Sequence, residues 1–412
     1  MIVPPTRSTS PAELPPPRPI AEAVERVLQE QAHQAVALAE LSTSISEHFE
    51  ALSDPRKGGM VEHQLIDILT ITVCAVICGA NNWVEVELFG QRRQDWLRQF
   101  LELPHGVPSH DTFGRVFARL SAEAFQQRFA EWMQAVFERS HGEVIAIDGK
   151  RLRRSYDKAS NKAAIHMVSA WAQANRVVLG QVKTDSKSNE ITAIPNLLKL
   201  LDIQGGIVTI DAMGCQRAIA AQITAHQGDY VLALKGNQSQ LHEDVVAYFE
   251  YAQRRQFAGL ESDYHETIEK GHGRVEVRRY WTIATLDWLE GRDKWVGLNL
   301  IGKVESERHV DGQISRETRY YIASLENNAQ RFAHAVRGHW SIENTLHWSL
   351  DVTFREDDSR LRQGEAAENF ALVRHMALSL LQQEQSLKVG IAAKRFNAAL
   401  DPDYLIKVLT VQ

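Results

Sequence analysis

Between Asp54 and Ser140 apolar residues recur every three or four positions, the spacing of helices that bury one face. The pattern predicts helices over 62–79 and 84–101, then a break at Leu103-Pro104-His105-Gly106-Val107-Pro108. Ser109 and Asp111 are candidate N-caps ahead of Phe113, Val116, Phe117 and Leu120, and a fourth helix covers 122–139. At Gly142 the period changes. Val144-Ile145-Ala146-Ile147 is a short apolar run, and 164–172 and 177–183 are alternating or apolar segments separated by a hairpin turn at Gln173-Ala174-Asn175-Arg176. A helix over 191–201, a strand at 207–210, a helix over 215–226 and a strand at 230–234 follow. Antiparallel strands leading into strand–helix alternation predict a mixed α/β sheet with helices on its faces.

Between about 239 and 328 β signals return, at 274–283, 295–304 and 317–323, without strand–helix alternation, so this stretch reads as a β-rich insertion. Helices over 330–350 and 364–383 and a short helical piece end the chain. At the other end, residues 1–19 hold seven prolines among Ser and Thr, too little apolar area to offset ordering, which predicts a disordered tail. Helical spacing resumes over 20–52.

Composition adds bounds. With 412 residues, 44% hydrophobic and 24% charged, the chain has room for two or more domains of ordinary globular type. Cys74, Cys78 and Cys215 fit no disulfide or zinc framework and suggest a reducing compartment. No secretory signal is visible, and the most apolar run, 65–80, is short and carries Asp67, so a cytoplasmic protein without a membrane span is expected. The formal charge of −6 argues weakly against nucleic acid. Locally the balance reverses: from 148 to 187 there are nine Lys or Arg against three Asp, an excess able to bind phosphate.

The chemistry centres on three carboxylates. Asp148 and Asp211 each end a short apolar run, the usual place for ligands on α/β sheets. Glu343 lies within RGHWSIENTLHWSLDVTFRE (337–356), where His339, Trp340, Glu343, His347 and Asp351 share one helical stripe. Two aspartates and a glutamate suit a hard divalent cation. Each aspartate could instead be a turn residue before Gly149 or Gly214. Beside them Lys150, Arg151, Arg153 and Arg154 could hold a nucleic-acid backbone, as could Lys235, Asn237 and Gln238; either loop could also be merely solvated. Arg274, Glu276 and Arg278 alternate onto one face, toward DNA or solvent. His339, Glu343 and His347 also have zinc spacing, but the His-Glu-x-x-His pattern is absent and zinc leaves the aspartates without a role. Trp340 and Trp348 read as core anchors or as platforms for an unpaired base.

With AIDGKRLRRS, TIDAMGCQ, LALKGNQ, GHGRVEVR and HWSIENTLHWSLDVTFRED in this order, the chain resembles the DDE transposases of bacterial insertion sequences, in particular the H-repeat-associated branch. The resemblance covers about 49–381 and includes DPRKGG through PSHDTFGRVF, similar to the helical domain associated with these enzymes. It implies a helical N-terminal domain at 20–140 and an RNase H-like catalytic domain at 141–385, with the β-rich insertion at about 239–328 and a helical tail at 386–412. It further implies that Asp148, Asp211 and Glu343 bind Mg2+ or Mn2+, two ions in all, for cleavage of transposon ends and strand transfer into target DNA by a homodimer. Arg337, His339, Trp340, Asn344 and His347 become candidate DNA contacts. The sequence departs from the related Tyr, Arg, Glu, Lys signature, since His339 stands four before Glu343 and Leu350 seven after it; Arg337 is positioned to substitute for the arginine. A nuclease without strand transfer and an inactive DNA-binding protein are the alternatives.

Overall fold

The computed structural model describes residues 47–56, 61–136, 142–156, 164–184, 190–271 and 273–410. The expected tail at 1–19, the helical spacing over 20–46 and His272 lie outside them.

The N-terminal region is helical, as its spacing predicts: α1 Leu65–Ile77, α2 Trp83–Arg92, α3 Gln94–Leu97, α4 His110–Arg119 and α5 Ala122–Val136. Asn82 and Ser109 cap α2 and α4 by accepting from the backbone N–H three residues on. The single helix expected over 84–101 is split at Arg93, whose guanidinium donates to the Ala399 carbonyl at 2.6 Å.

A nine-stranded mixed sheet follows, in the order β3-β2-β1-β4-β5-β9-β8-β7-β6. Its first half is β1 Val144–Arg151, β2 His166–Ala172, β3 Val177–Lys183, helix α6 Glu190–Leu200, β4 Ile207–Ile210, helix α7 Arg217–Ala225 and β5 Asp229–Leu234. β1, β3, β4 and β5 run in one direction, while β2 lies antiparallel between β3 and β1. Buried apolar side chains fill β1, β4 and β5 almost without alternation because both faces of these strands are covered.

The segment read as β-rich throughout opens instead with a helix, α8 Ser239–Arg254. Four strands follow: β6 Ser262–Gly271, β7 Arg274–Ile283, β8 Leu300–Val310 and β9 Gln313–Ala323. They do not stand apart from the sheet. β9 pairs with β5 (Leu232 opposite Ile322), so the ladder continues through them to the edge. β6 was not anticipated because its two large aliphatic or aromatic residues, Tyr264 and Ile268, are both exposed on the outermost strand and give no buried period.

The expected closing helix is three pieces: α9 Ala329–Ser341, a π-helical turn Ile342–His347, and α10 Trp348–Val352. Glycines let α9 lie close to the sheet. A β-carbon on Gly302 would stand 2.3 Å from the Phe332 ring, and one on Gly338 2.8 Å from a Val144 methyl. After it, α11 Ala366–Gln383 is buried from Ala366 to Leu381, and α12 Ile391–Leu400 and α13 Pro402–Leu409 end the described chain. α11 lies between the two regions: Asn369 donates to the Phe117 and Leu120 carbonyls of the helical region, and Ser379 accepts from the Val178 amide of β3. One hydrophobic core therefore runs through both. No described helix is long and apolar enough to cross a membrane.

Candidate active site

The register of two parallel strands sets the geometry. Ile147 of β1 pairs with Ile210 of β4, so Asp148 and Asp211 follow side by side where β4 ends. α9 covers the face that carries alternate residues of these strands, since Gly338 rests on Val144 and His339 Nδ1 lies 3.1 Å from Thr209 Oγ1. Asp148 and Asp211 continue those two rows. The chain then enters the π turn that carries Glu343, a widened geometry frequent at functional sites. Asp211 and Glu343 line one cleft of about 340 Å³ together with Lys235, Arg319, His339 and Trp340.

Asp148 is not a turn residue; it lies inside β1, opposite Ser169. Asp211 does shape its own turn, as Oδ1 accepts from the Met213 and Gly214 amides at 2.9 and 3.3 Å. Burial pushes the Asp148 carboxyl up to about 7, with the charges of Glu190, Glu343 and Asp211 adding to the rise. Asp211 is also raised, chiefly by burial and then by Glu190, although its turn amides and Lys235 oppose this. His347 Nδ1 lies 3.7 Å from Asp148 Oδ2, and burial drives this imidazole down to about 3, so it is neutral at pH 7. His339, lowered to about 4 by burial, is neutral as well.

The predicted stripe therefore disperses. His339 goes to Thr209, His347 to Asp148 and Asp351 to Lys150, because the π turn between them changes the angular step along the helix. The two histidines do not form a zinc pair.

The candidate DNA contacts divide into groups. Lys150 is half-buried among acids, with Nζ 2.6 Å from Asp351, 2.8 Å from Glu356 and 3.8 Å from Asp357. Burial pulls its pKa down, but Glu356 and Asp351 more than offset this and hold it above the usual lysine range. Arg153 and Arg154 face Asp357 and Asp358 at 3.2 and 3.3 Å but remain well exposed, and Arg151 is exposed at the end of β1. Asn237 and Gln238 donate to the Ala212 and Cys215 carbonyls, bracing the Asp211 loop, while Lys235 stays exposed beside it. Arg337 pairs with Glu269 at 2.8 Å, Asn344 bonds to the Trp340 carbonyl, and the Arg319 guanidinium lies over the Trp340 ring at 4.3 Å. Trp340 and Asn344 also end a cleft of about 490 Å³ whose other walls include Arg274, Arg278, Arg308, Arg316 and Arg337.

Glu190 was not anticipated. It is buried at the first position of α6, its Oε1 is 2.8 Å from His166 Nε2, and its charge reaches both aspartates. In the sequence it is simply an acid ahead of an apolar helix, which the N-terminal dipole alone would justify.

Among the described residues no three His, Cys, Asp or Glu form a ready-made metal cage. The donor chemistry nonetheless fits a hard divalent cation, because carboxylates gathered around a half-buried aspartate repel one another until positive charge is added.

Comparison with known proteins bears on the family to which the chain is similar. A family model described as "Transposase DDE domain" matches residues 139–380, and one described as "DDE_Tnp_1-associated" matches 46–133. The chain is 45% identical over 370 residues to the Escherichia coli O157:H7 protein named "Putative transposase YncI", covering 89% of this chain and 94% of that one. It is 42% identical over 370 residues to the Escherichia coli K12 protein named "H repeat-associated putative transposase YhhI", covering 89% and 97%. A solved piggyBac transposase synaptic complex with hairpin DNA matches at 9% identity and a TM-score of 0.41, over 89% of this chain and 75% of that one, too slight a likeness to bear on function.

Proposed function

The chain belongs to the DDE transposase family, and on that premise we propose that it cuts transposon-end DNA and joins the freed strand to target DNA, with Asp148, Asp211 and Glu343 as its metal-binding carboxylates. The observation that carries this reading is the register Ile147 opposite Ile210, which brings two aspartates from distant segments side by side where β4 ends, on the side of the sheet covered by the helix that leads into the Glu343 turn. The strand order β3-β2-β1-β4-β5, with only β2 running against the other four, supports an RNase H-like catalytic half at 141–385 beside the helical region at 20–140.

Mg2+ or Mn2+, two ions in this reading, would activate the attacking water or 3′-hydroxyl and stabilise the leaving oxygen. The chain's own residues do the positioning. Glu343 is exposed on the cleft wall, and Asp148 is half-buried on β1 beside His347. Asn237 and Gln238 hold the Asp211 loop in place, and neutral His347 packs beside Asp148 without a competing positive charge. Lys235, Arg151, Arg153 and Arg154 are the exposed cations near these carboxylates and take DNA phosphates. Lys150 does not, because Asp351 and Glu356 occupy its charge.

The test is Mg2+-dependent nicking of DNA carrying the element's ends. Asp148→Asn, Asp211→Asn and Glu343→Gln should each abolish nicking while end binding persists; undiminished cleavage by Glu343→Gln overturns the assignment. Joined products with a target plasmid separate transposition from simple nuclease action, and the mass of the protein–DNA complex in solution tests for two copies on DNA.

A further inference from the structure

β6 leaves one side of its backbone open. It is the outermost strand of the sheet, and among the described residues no strand lies beyond it. Proteins usually blunt such an edge with a proline, a bulge or a very short strand. β6 has none of these: it runs ten residues, Ser262–Gly271, without proline and in unbroken register with β7. The Ala284 amide donates to the Glu261 carbonyl at 2.8 Å, so the odd-numbered residues bond to β7 and the even-numbered ones turn their N–H and C=O groups outward. Asp263 accepts from one of these, the Tyr264 amide, at 2.8 Å. Glu266, Ile268 and Lys270 present theirs to the open side, and their side chains are exposed.

We propose that the open edge of β6 pairs with the same edge of a second copy of this chain, antiparallel about a two-fold axis, joining two nine-stranded sheets. Two-fold symmetry requires one residue to face itself, because bonded and non-bonded pairs alternate along an antiparallel ladder. The longest overlaps of a strand over 262–271 centre on Glu266 or on Thr267. Centring on Glu266 sets that carboxylate against itself and Asp263 against Glu269, like charges that repel. Centring on Thr267 sets Thr267 against itself, His265 against Glu269 and Tyr264 against Lys270. Glu266, already paired with Arg279 at 2.9 Å, then faces Ile268. The strand is thus complementary to itself in one long register and not in the other. A strand charged only to keep its edge unpaired has no need of that complementarity and leaves the chain a monomer. The inference concerns how two copies meet without DNA and does not rest on the metal reading of the carboxylates.

Sedimentation equilibrium of the full chain without DNA tests this. The unmodified chain should sediment at twice its monomer mass. Ile268→Pro removes an outward N–H from each copy and leaves the β7 ladder intact; it should raise the dimer dissociation constant at least about tenfold, with an unchanged melting temperature. Thr267→Cys should form a symmetric disulfide on mild oxidation, because a non-bonded pair brings its β-carbons within reach of one, and it carries the test should the proline variant not fold. Glu266→Cys, which faces Ile268, should not cross-link, nor should the unmodified chain, whose Cys74 and Cys215 are buried and Cys78 half-buried. A monomer at every concentration overturns the proposal. A dimer that Ile268→Pro leaves as tight and that Thr267→Cys does not cross-link overturns it too, since the copies then meet through another face.

Discussion

Lys150 Nζ lies 2.8 Å from Glu356 Oε2, a pair that fastens β1, two residues beyond Asp148, to the segment following the Glu343 helix. The side chains are 11% and 2% exposed, and Arg374 approaches the other Glu356 oxygen at 3.7 Å. A tract that reads as a phosphate-binding surface thus begins with a structural lysine.

Removing Lys150 leaves the buried Glu356 carboxylate with Arg374, at 3.7 Å, as its remaining ion-pair partner, a loss that costs up to about 3–5 kcal/mol. Lys150→Ala should therefore lower unfolding free energy by that order in urea titrations. Arg153→Ala, at a side chain 79% exposed, should change it by no more than about 0.5 kcal/mol yet weaken DNA binding. Equal stability losses at the two positions would refute the distinction.

Asp67 gives the helical region a pH dependence. It is 2% exposed on α1, and burial pushes its carboxyl up to about 6, only partly opposed by the Leu103 backbone. The folded chain thus binds this proton more tightly than the unfolded one. The resulting stability is fully present below the unfolded value near 4 and is lost as pH rises through about 6. Asp67→Asn should raise the melting temperature at pH 8 and have a smaller effect at pH 5; a pH-independent effect would contradict the burial argument.

Gly302 is set beneath the Phe332 ring, where a β-carbon would meet three ring atoms within 2.9 Å. Phe332 is fully buried and cannot swing away. Gly302→Ala should cost about 1–3 kcal/mol through overpacking and, by shifting α9, should lower nicking activity beyond the stability loss. Full activity in the folded variant would show that α9 need not sit so close.

Trp348 is 57% exposed on the turn after His347, with Val352 one turn on at 58%. It is not a core anchor. Trp348→Ala should leave stability within about 0.5 kcal/mol and weaken binding of a frayed or single-stranded DNA end by about 1–3 kcal/mol, read by fluorescence anisotropy. Unchanged affinity would remove Trp348 from the DNA surface.

Much of the fold was legible because its strongest signals are local. β3, β4, β7 and the turn before β3 fall where apolar runs and turn residues place them, and of the two candidate caps Ser109 marks a real helix start while Asp111 lies inside the helix. Elements without a local signal were missed or merged. β6 has no buried face, α8 sits in a stretch dominated by later β signals, and the π turn at 342–347 keeps the composition of the helix around it.

The sequence by itself determined the family to which the chain belongs and named its candidate carboxylates, since side-chain type and spacing are covalent facts. Only the tertiary structure decided what each charge is free to do. Burial and proximity between distant segments turned Lys150 into a structural ion, gave Asn237 and Gln238 to the Asp211 loop, and dispersed the helical stripe. They also brought Glu190 against Gly149. Electrostatic interactions act through space and depend on solvent exposure, and neither quantity is written along the chain.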